Sequence, residues 1–402
     1  MEKITISSRT TFIGLATATV ACVLLYSQDF LPLQRAHITW QNVFKGQKQQ
    51  QHLQAPPSRA SHTKCTLAHT SLAFLKVHKA GSTTIMNILQ RFAWDNNLLV
   101  ALPSPSHIIH SNFKNLLFLP KGRNSYDMLF NHVHHYDRKK FAKLLPADAK
   151  YIGIVREPLS LTISAFEYYR VVWRLKRYTK IPGNDKLREY LRHREKYDNS
   201  PGSFTNNRMA FDFGLPGRMF RNRTFITKYL KKLDSEFDLV MILEYFAESL
   251  IFLKRLMCWK LKDVLYIKRN AMKNKRPHIV FSKEELSYHK NFSMADTMLY
   301  DHFLSRFKLR LTQENREFWE EVSVFKGMLG KTESYCLSVK NNGTDTHANS
   351  SLLFQETKFN DVFAINRNDC SLMLISEIPF VRKSRWKHAQ MLSDANKKTF
   401  TG

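Results

Sequence analysis

The sequence predicts an α/β protein, a parallel sheet with helices on both faces and ligands held at the carboxyl ends of its strands. Three observations predict it. An apolar run suited to a short buried strand passes into a helical pattern at residues 72–93, again at 151–170 and again at 237–259. Strand–helix units repeated in this way form right-handed parallel connections, and open sheets of this kind bind at their strand ends. With 402 residues and 43% hydrophobic content, the chain can bury a core of that size.

The elements follow in order. Residues 10–26 (TTFIGLATATVACVLLY) carry no charge and lie between Lys3 and Arg9 on one side and Asp29 on the other. That is a short membrane span. A cleaved signal peptide is the competing reading, but no small-x-small site lies just beyond the run, which favours an uncleaved anchor. The preceding positive charges put residues 1–9 in the cytoplasm, and a short span suits the early secretory pathway. Residues 27–69 are Gln-rich, then Pro- and Ser-containing, without periodicity, and read as a flexible stem. Residues 70–402 are then a lumenal body. Four glycosylation sequons, at Asn222, Asn291, Asn342 and Asn349, all follow the anchor. Cys22 lies in the span; Cys65, Cys258, Cys336 and Cys370 permit three disulfide pairings and lack metal-site spacing.

Lys and Arg number 62 against 34 Asp and Glu, a formal +28. This favours anionic partners without choosing among them. The absence of zinc-finger spacing, an RNA-recognition signature or a heptad run argues against nucleic acid.

At residues 72–93 the run LAFLKV is the strand, and Ile85, Ile88, Leu89 and Phe92 mark one helix face. Between them lie His78, Lys79, Ala80, Gly81, Ser82, Thr83 and Thr84. A strand, a glycine turn and a helix N-terminus together make an anion site. The first-turn amides lack intrahelical partners and carry partial positive charge. Lys79 adds a full charge, Gly81 allows close backbone approach and the hydroxyls can donate. An ordinary corner with Ser82 as N-cap is the bland alternative.

Residues 101–125 read as loop. In 128–137 (MLFNHVHHYD) the alternation puts His132 and His134 on one side of a strand and His135 on the other, with no Cys or acidic ligand to complete a metal set. A histidine such as His132 is suited to taking a proton from a hydroxyl, and an edge-strand histidine cluster with no chemistry is the alternative. At 151–170, Tyr151 to Val155 is strand, Pro158 suits a first helical turn and Leu159, Ile163 and Phe166 follow helically. Arg156 ends the strand, a permanent forked phosphate donor, and Ser164 supplies a neutral hydroxyl. Residues 173–200 read as helix and loop over the site with mostly solvated charges. The segment NRMAFDFG at 207–214 reads as packing. Residues 239–243 are strand, followed by an amphipathic helix, and Ser282 with Glu285 opens a further helix.

The loop lacks the G-x-x-x-x-G-K-[ST] order of nucleotide triphosphatases, because its lysine precedes the glycine. It resembles the 5′-phosphosulfate loop of sulfotransferases that use 3′-phosphoadenosine 5′-phosphosulfate (PAPS). The form F-L-K-x-H-K-x-x-S-T, the Asn131–His132 stretch, N-x-M-x-F-D-F-G and the block 237–270 resemble the galactose 3-O-sulfotransferases over about 70–340, with departures at 134–136 and beyond Cys336. The resemblance implies a P-loop-like sulfotransferase fold and PAPS as co-substrate without a metal. Lys79, Ala80, Gly81, Ser82, Thr83 and Thr84 would hold its phosphosulfate, and Arg156 and Ser164 its 3′-phosphate. Lys79 and His132 would be the catalytic residues. It further implies a Golgi membrane protein sulfating the 3-OH of terminal β-galactose on glycolipids or glycoprotein glycans; a homodimer is left open. A glycosaminoglycan uronic-acid sulfotransferase and an inactive, membrane-tethered glycan-binding protein are the rivals.

Overall fold

A computed structural model describes residues 65, 67–198, 203–268, 280–341 and 351–398. These lie in one compact unit spanning Ala60–Gly402. The apolar run at 10–26, the Gln-rich stem up to residue 64 and the sequons at Asn342 and Asn349 fall outside the described residues. Among the described residues no helix is long and apolar enough to cross a membrane.

The core is a four-stranded, wholly parallel sheet: β1 (Leu72–Phe74), followed by helix α1 (Ser82–Asp95), then β2 (Met128–Leu129) and β3 (Lys150–Val155). After β3 come α2 (Pro158–Val171), the short α3 (Arg208–Asp212), α4 (Arg223–Glu236), β4 (Leu239–Ile242) and α5 (Phe246–Met257). The strand order is β2-β1-β3-β4. The three expected strand–helix units are β1–α1, β3–α2 and β4–α5. Every residue of β1 and β4 is buried, and all of β3 but Lys150. Strands buried on both faces are therefore unbroken apolar runs rather than alternating ones.

The sheet order matters for function. From β1 the chain crosses to β2 on one side and later returns to β3 on the other, so the order reverses between β1 and β3. At such a switch point the loops leaving the two strands diverge and open a crevice at their carboxyl ends. The loop 78–84 and Arg156 leave from these two adjacent ends.

Two expectations need correcting. Strand β2 stops at Leu129, so the histidines do not alternate across a strand. The chain turns instead: buried Asn131 donates to the Ala101 carbonyl (3.2 Å), His132 forms an isolated bridge with Ile108, and the Tyr136 amide donates to the Asp212 carbonyl (2.8 Å). The charged stretch 173–198 is not simply solvated. Arg194 is fully buried, donating to Ser293 Oγ (2.7 Å) and the Thr205 carbonyl (2.5 Å), and Asp198 accepts from Tyr190 Oη (2.8 Å). Their short helices need these polar ties because an unpaired buried charge is costly.

Beyond the sheet run α6 (Lys283–Phe292), α7 (Met294–Thr312) and α8 (Arg316–Asn341). The capping box forms as read, Ser282 and Glu285 each accepting from the other's amide at 3.2 and 2.9 Å. A hairpin, β5 (Leu352–Phe354) with β6 (Phe363–Ile365), leads to α9 (Arg367–Leu374) and α10 (Glu377–Lys398). These last two helices pack on α1. Asn87 donates to the Leu372 carbonyl (2.9 Å), Gln90 to Ser384 Oγ, and Lys76 in the β1 loop pairs with Glu377 at 2.5 Å. Disulfides join Cys65 to Cys258 and Cys336 to Cys370, which selects one of the three pairings the sequence allowed.

Candidate active site

The β1 loop is held in a shape that few residues adopt. Lys79 has φ 60° and Gly81 has φ 76°, both in the left-handed region, which favours glycine and strains lysine. A Cβ on Gly81 would lie 2.6 Å from Leu243 Cδ1, so the glycine is needed for conformation and for the close approach of the loop after β4. Gly81 is also the N-cap of α1. No side chain caps this helix, and its first turn holds no acidic residue. Ser82 is the first helical residue rather than the cap; it is buried, and its hydroxyl donates to the Val77 carbonyl. Ala80 is fully buried, Thr83 and Thr84 are half-buried, and the Thr84 amide closes the turn on the Gly81 carbonyl at 3.0 Å. An uncapped helix start beside a lysine is a donor set that fits an anion.

The R-E-P triplet divides into three jobs. Arg156 donates from its guanidinium to the Lys79 carbonyl (2.9 Å), which ties the end of β3 to the β1 loop across the switch point. Glu157 is the N-cap of α2, its carboxylate accepting from the Leu159 and Ser160 amides at 2.9 and 2.7 Å. Pro158 takes the first helical position, where a missing N–H is harmless. Ser164 lies half-buried on α2, about 9 Å beyond Pro158 along its axis at 1.5 Å per residue.

Lys79 is half-buried, and its ammonium sits 3.8 Å from the centroid of the Tyr168 ring. Burial, with the nearby Arg156 charge adding, lowers its pKa to about 8. Among the described residues no carboxylate pairs with it. Burial likewise lowers the pKa of Arg156, with Glu244 and Glu157 opposing.

On the other flank two imidazoles meet, with His78 and His132 ring centroids 4.7 Å apart. His78 is fixed twice by Asp212: its amide donates to Asp212 Oδ2 (2.8 Å), and its Nδ1 lies 2.9 Å from the same oxygen. Arg208 pairs with the other carboxylate oxygen at 2.8 Å, and both residues are nearly fully buried. Burial opposes ionisation of Asp212, but Arg208 and His78 outweigh it and hold the carboxyl below its usual range. His132 Nδ1 is shut from solvent with no hydrogen-bond partner among the described residues. Burial, reinforced by the charges of Lys76, His78, His107 and Arg208, pushes His132 well below the usual imidazole range, so it is neutral. His134 is exposed; its Nδ1 lies 2.7 Å from that of His135, and both rings meet the edge of Phe211 rather than His78.

Thus Lys79 and Arg156 come together, as do His132 and the loop through His78, while Ser164 stands further along α2. Sequence reasoning missed Asp212, which it assigned to packing. One signal was available: an aspartate set within F-D-F-G is buried by its neighbours and so requires a paired cation or donor. Among the described residues no group of three His, Cys, Asp or Glu side chains is placed to hold a metal ion.

Comparison with known proteins gives this site its context. The galactose-3-O-sulfotransferase family profile matches residues 4–351. Galactose-3-O-sulfotransferase 3 of Mus musculus is 35% identical over 274 residues, which is 66% of this chain and 62% of that protein. Galactosylceramide sulfotransferase of Homo sapiens is 31% identical over 262 residues, 63% of this chain and 58% of that protein. Galactose-3-O-sulfotransferase 2 of Mus musculus is 30% identical over 284 residues, 67% and 70% of the two chains. The matched stretch spans about three fifths of the first two relatives' lengths. The profile covers the uncapped β1 loop, the R-E-P cap and the Asp212 segment in one continuous match, and on that match the chain belongs to the galactose-3-O-sulfotransferase family.

Proposed function

We propose that this protein is a carbohydrate sulfotransferase that uses PAPS and sulfates the 3-OH of a terminal β-galactose on a glycolipid or glycoprotein glycan. The observation that carries the reading is the switch-point pairing: Arg156 hydrogen-bonded to the Lys79 backbone beside an uncapped helix start. The donor set fits a nucleotide with an anionic group at each end, being made of cations, N–H groups and hydroxyls without an acid in the first helical turn.

When bound, the donor supplies an activated sulfuryl group; the chain's own residues do the rest. The amides at the start of α1, with Thr83 and Thr84, hold the anion, and Lys79 offsets the negative charge that grows on the bridging oxygen. Arg156 and Ser164 take the 3′-phosphate. A base must remove the acceptor hydroxyl's proton. His132 is the base expected from sequence, and His78 is better equipped, because Asp212 fixes its Nδ1 and leaves Nε2 to accept. The proposal therefore gives the proton to His78, with neutral His132 beside it. His78→Asn should reduce turnover more than His132→Asn; the opposite order returns the role to His132.

The acceptor assignment draws on the relatives' names. Labelled PAPS offered with galactosylceramide, Galβ1-3GalNAc, Galβ1-4GlcNAc and desulfated heparan tests it. Transfer to a galactoside that stops when its 3-OH is blocked supports the reading, and transfer to heparan alone overturns it.

We place the protein in the Golgi membrane, single-pass, with residues 27–402 lumenal. Two disulfides and exposed sequon asparagines at Asn222 and Asn291 support an oxidising lumen. Removing N-glycans from cell-made protein should shift its mobility, and an unshifted band for a chain carrying free sequons speaks against this placement.

A further inference from the structure

We propose that Tyr168 is a positioning residue for Lys79, holding its ammonium over the anion site with a neutral ring in place of a carboxylate. This rests on the assignment of Lys79 to the donor.

Three features point to it. The lysine's backbone is already committed, with φ 60° and its carbonyl engaged by Arg156, so only the side-chain torsions remain to be fixed. The structure fixes them with an aromatic face: Lys79 Nζ lies 3.8 Å from the Tyr168 centroid, well inside the range of a cation–π contact. Tyr168 is in turn one helical turn beyond Ser164 on α2, so the two side chains share a helix face. One face of α2 thus presents the hydroxyl assigned to the donor and the ring that holds the lysine.

The choice of partner has a chemical consequence. A carboxylate would hold the ammonium but cancel its charge where negative charge must be met. The ring's quadrupole attracts the cation and leaves its net charge whole. The ring is itself anchored. It meets the Tyr169 ring at 5.2 Å and 84°; Tyr169 stacks on Phe204 at 4.2 Å, and Phe204 lies 5.6 Å from His78. A single aromatic chain therefore reaches from the lysine to the histidine pair.

The test replaces Tyr168 with Phe, with Leu and with phenylalanines carrying one, two and three fluorines. It measures kcat, the KM for a galactoside acceptor and calorimetric binding of adenosine 3′,5′-bisphosphate. Fluorination keeps the ring's shape and drains its face, so a packing role leaves the series flat. Expected are near wild-type kcat for Tyr168→Phe, a stepwise fall with each fluorine, and a loss of about tenfold or more in kcat for Tyr168→Leu at little-changed acceptor KM. A flat fluorine series, or Tyr168→Leu with wild-type kcat, overturns the proposal alone. Wild-type protein that neither binds adenosine 3′,5′-bisphosphate nor turns over overturns the reading beneath it as well.

Discussion

Replacing Asp212 with Asn separates the work of holding His78 from the work of filling space. The carboxylate receives the His78 amide at 2.8 Å and lies 2.9 Å from its Nδ1, while Arg208 pairs with it at 2.8 Å. Asn keeps the volume and one acceptor but removes the charge, so Arg208, 6% exposed, is left buried without its counter-ion. Breaking a buried pair from one side costs about 3–5 kcal/mol. Divided over a domain of this size, that lowers the melting temperature by about 4–7 °C. His78 loses the contact that sets its tautomer, and turnover should fall toward the 10²–10⁴-fold that a general base contributes, roughly. The double variant Asp212→Asn with Arg208→Met resolves the two effects. Removing the stranded cation should restore most of the stability in a denaturant titration, whereas a turnover assay with labelled donor should stay low. If the double variant recovers both, Asp212 serves only to neutralise Arg208. If folded Asp212→Asn turns over like wild type, the orienting role is refuted.

Three further outcomes follow from the same geometry. Arg156→Ala removes a forked cation and the tie to the Lys79 carbonyl; a charged hydrogen bond contributes about 1.5–3 kcal/mol, so calorimetry should find adenosine 3′,5′-bisphosphate bound at least about tenfold more weakly. Burial brings the Lys79 pKa to about 8, so its charge is present below that pH and lost above it; donor affinity should decline as pH rises through about 8, and Lys79→Arg should flatten that limb. Burial raises Asp296 to about 7, where it accepts the Ala210 amide at 2.8 Å. Its folded pKa lies above its unfolded one, so its contribution to stability is full below the unfolded carboxylate range and is lost as pH rises toward 7. Asp296→Asn keeps an acceptor without the charge and should melt higher than wild type above pH 7, with the gap closing toward pH 4.

The parts of this protein that were legible in the sequence are those whose signal is local. The strands at 72–74, 150–155 and 239–242 announce themselves as short apolar runs, the R-E-P triplet as a strand end, a cap and a first helical residue, and Ser282 with Glu285 as a box. Each needs only neighbours within a few positions. The strand predicted through His132–His135 failed for the same reason: alternation of polar and apolar residues is a local pattern, and here it belongs to a turn shaped by Asp212 and Ala101, which lie far away in sequence.

What stayed hidden depends on who faces whom. Asp212 stands 134 residues from His78, and Lys76 pairs with Glu377 three hundred residues on, so no window along the chain contains either pair. Composition does hold one clue that periodicity discards: a charged residue inside an apolar segment, such as Lys76 in F-L-K-V or Asp212 in F-D-F-G, must find a counter-charge when the segment is buried. Both clues lead to the same loop. Lys76 fixes the strand side of it to the final helix, Asp212 fixes its histidine, and Arg156 fixes its lysine carbonyl. The left-handed Lys79 is thus held through its carbonyl by a residue far away in sequence, while Gly81 meets its own conformation by residue type. This is why a stretch of seven residues suggested an anion site while the orientation of its histidine and lysine could be read only in the fold.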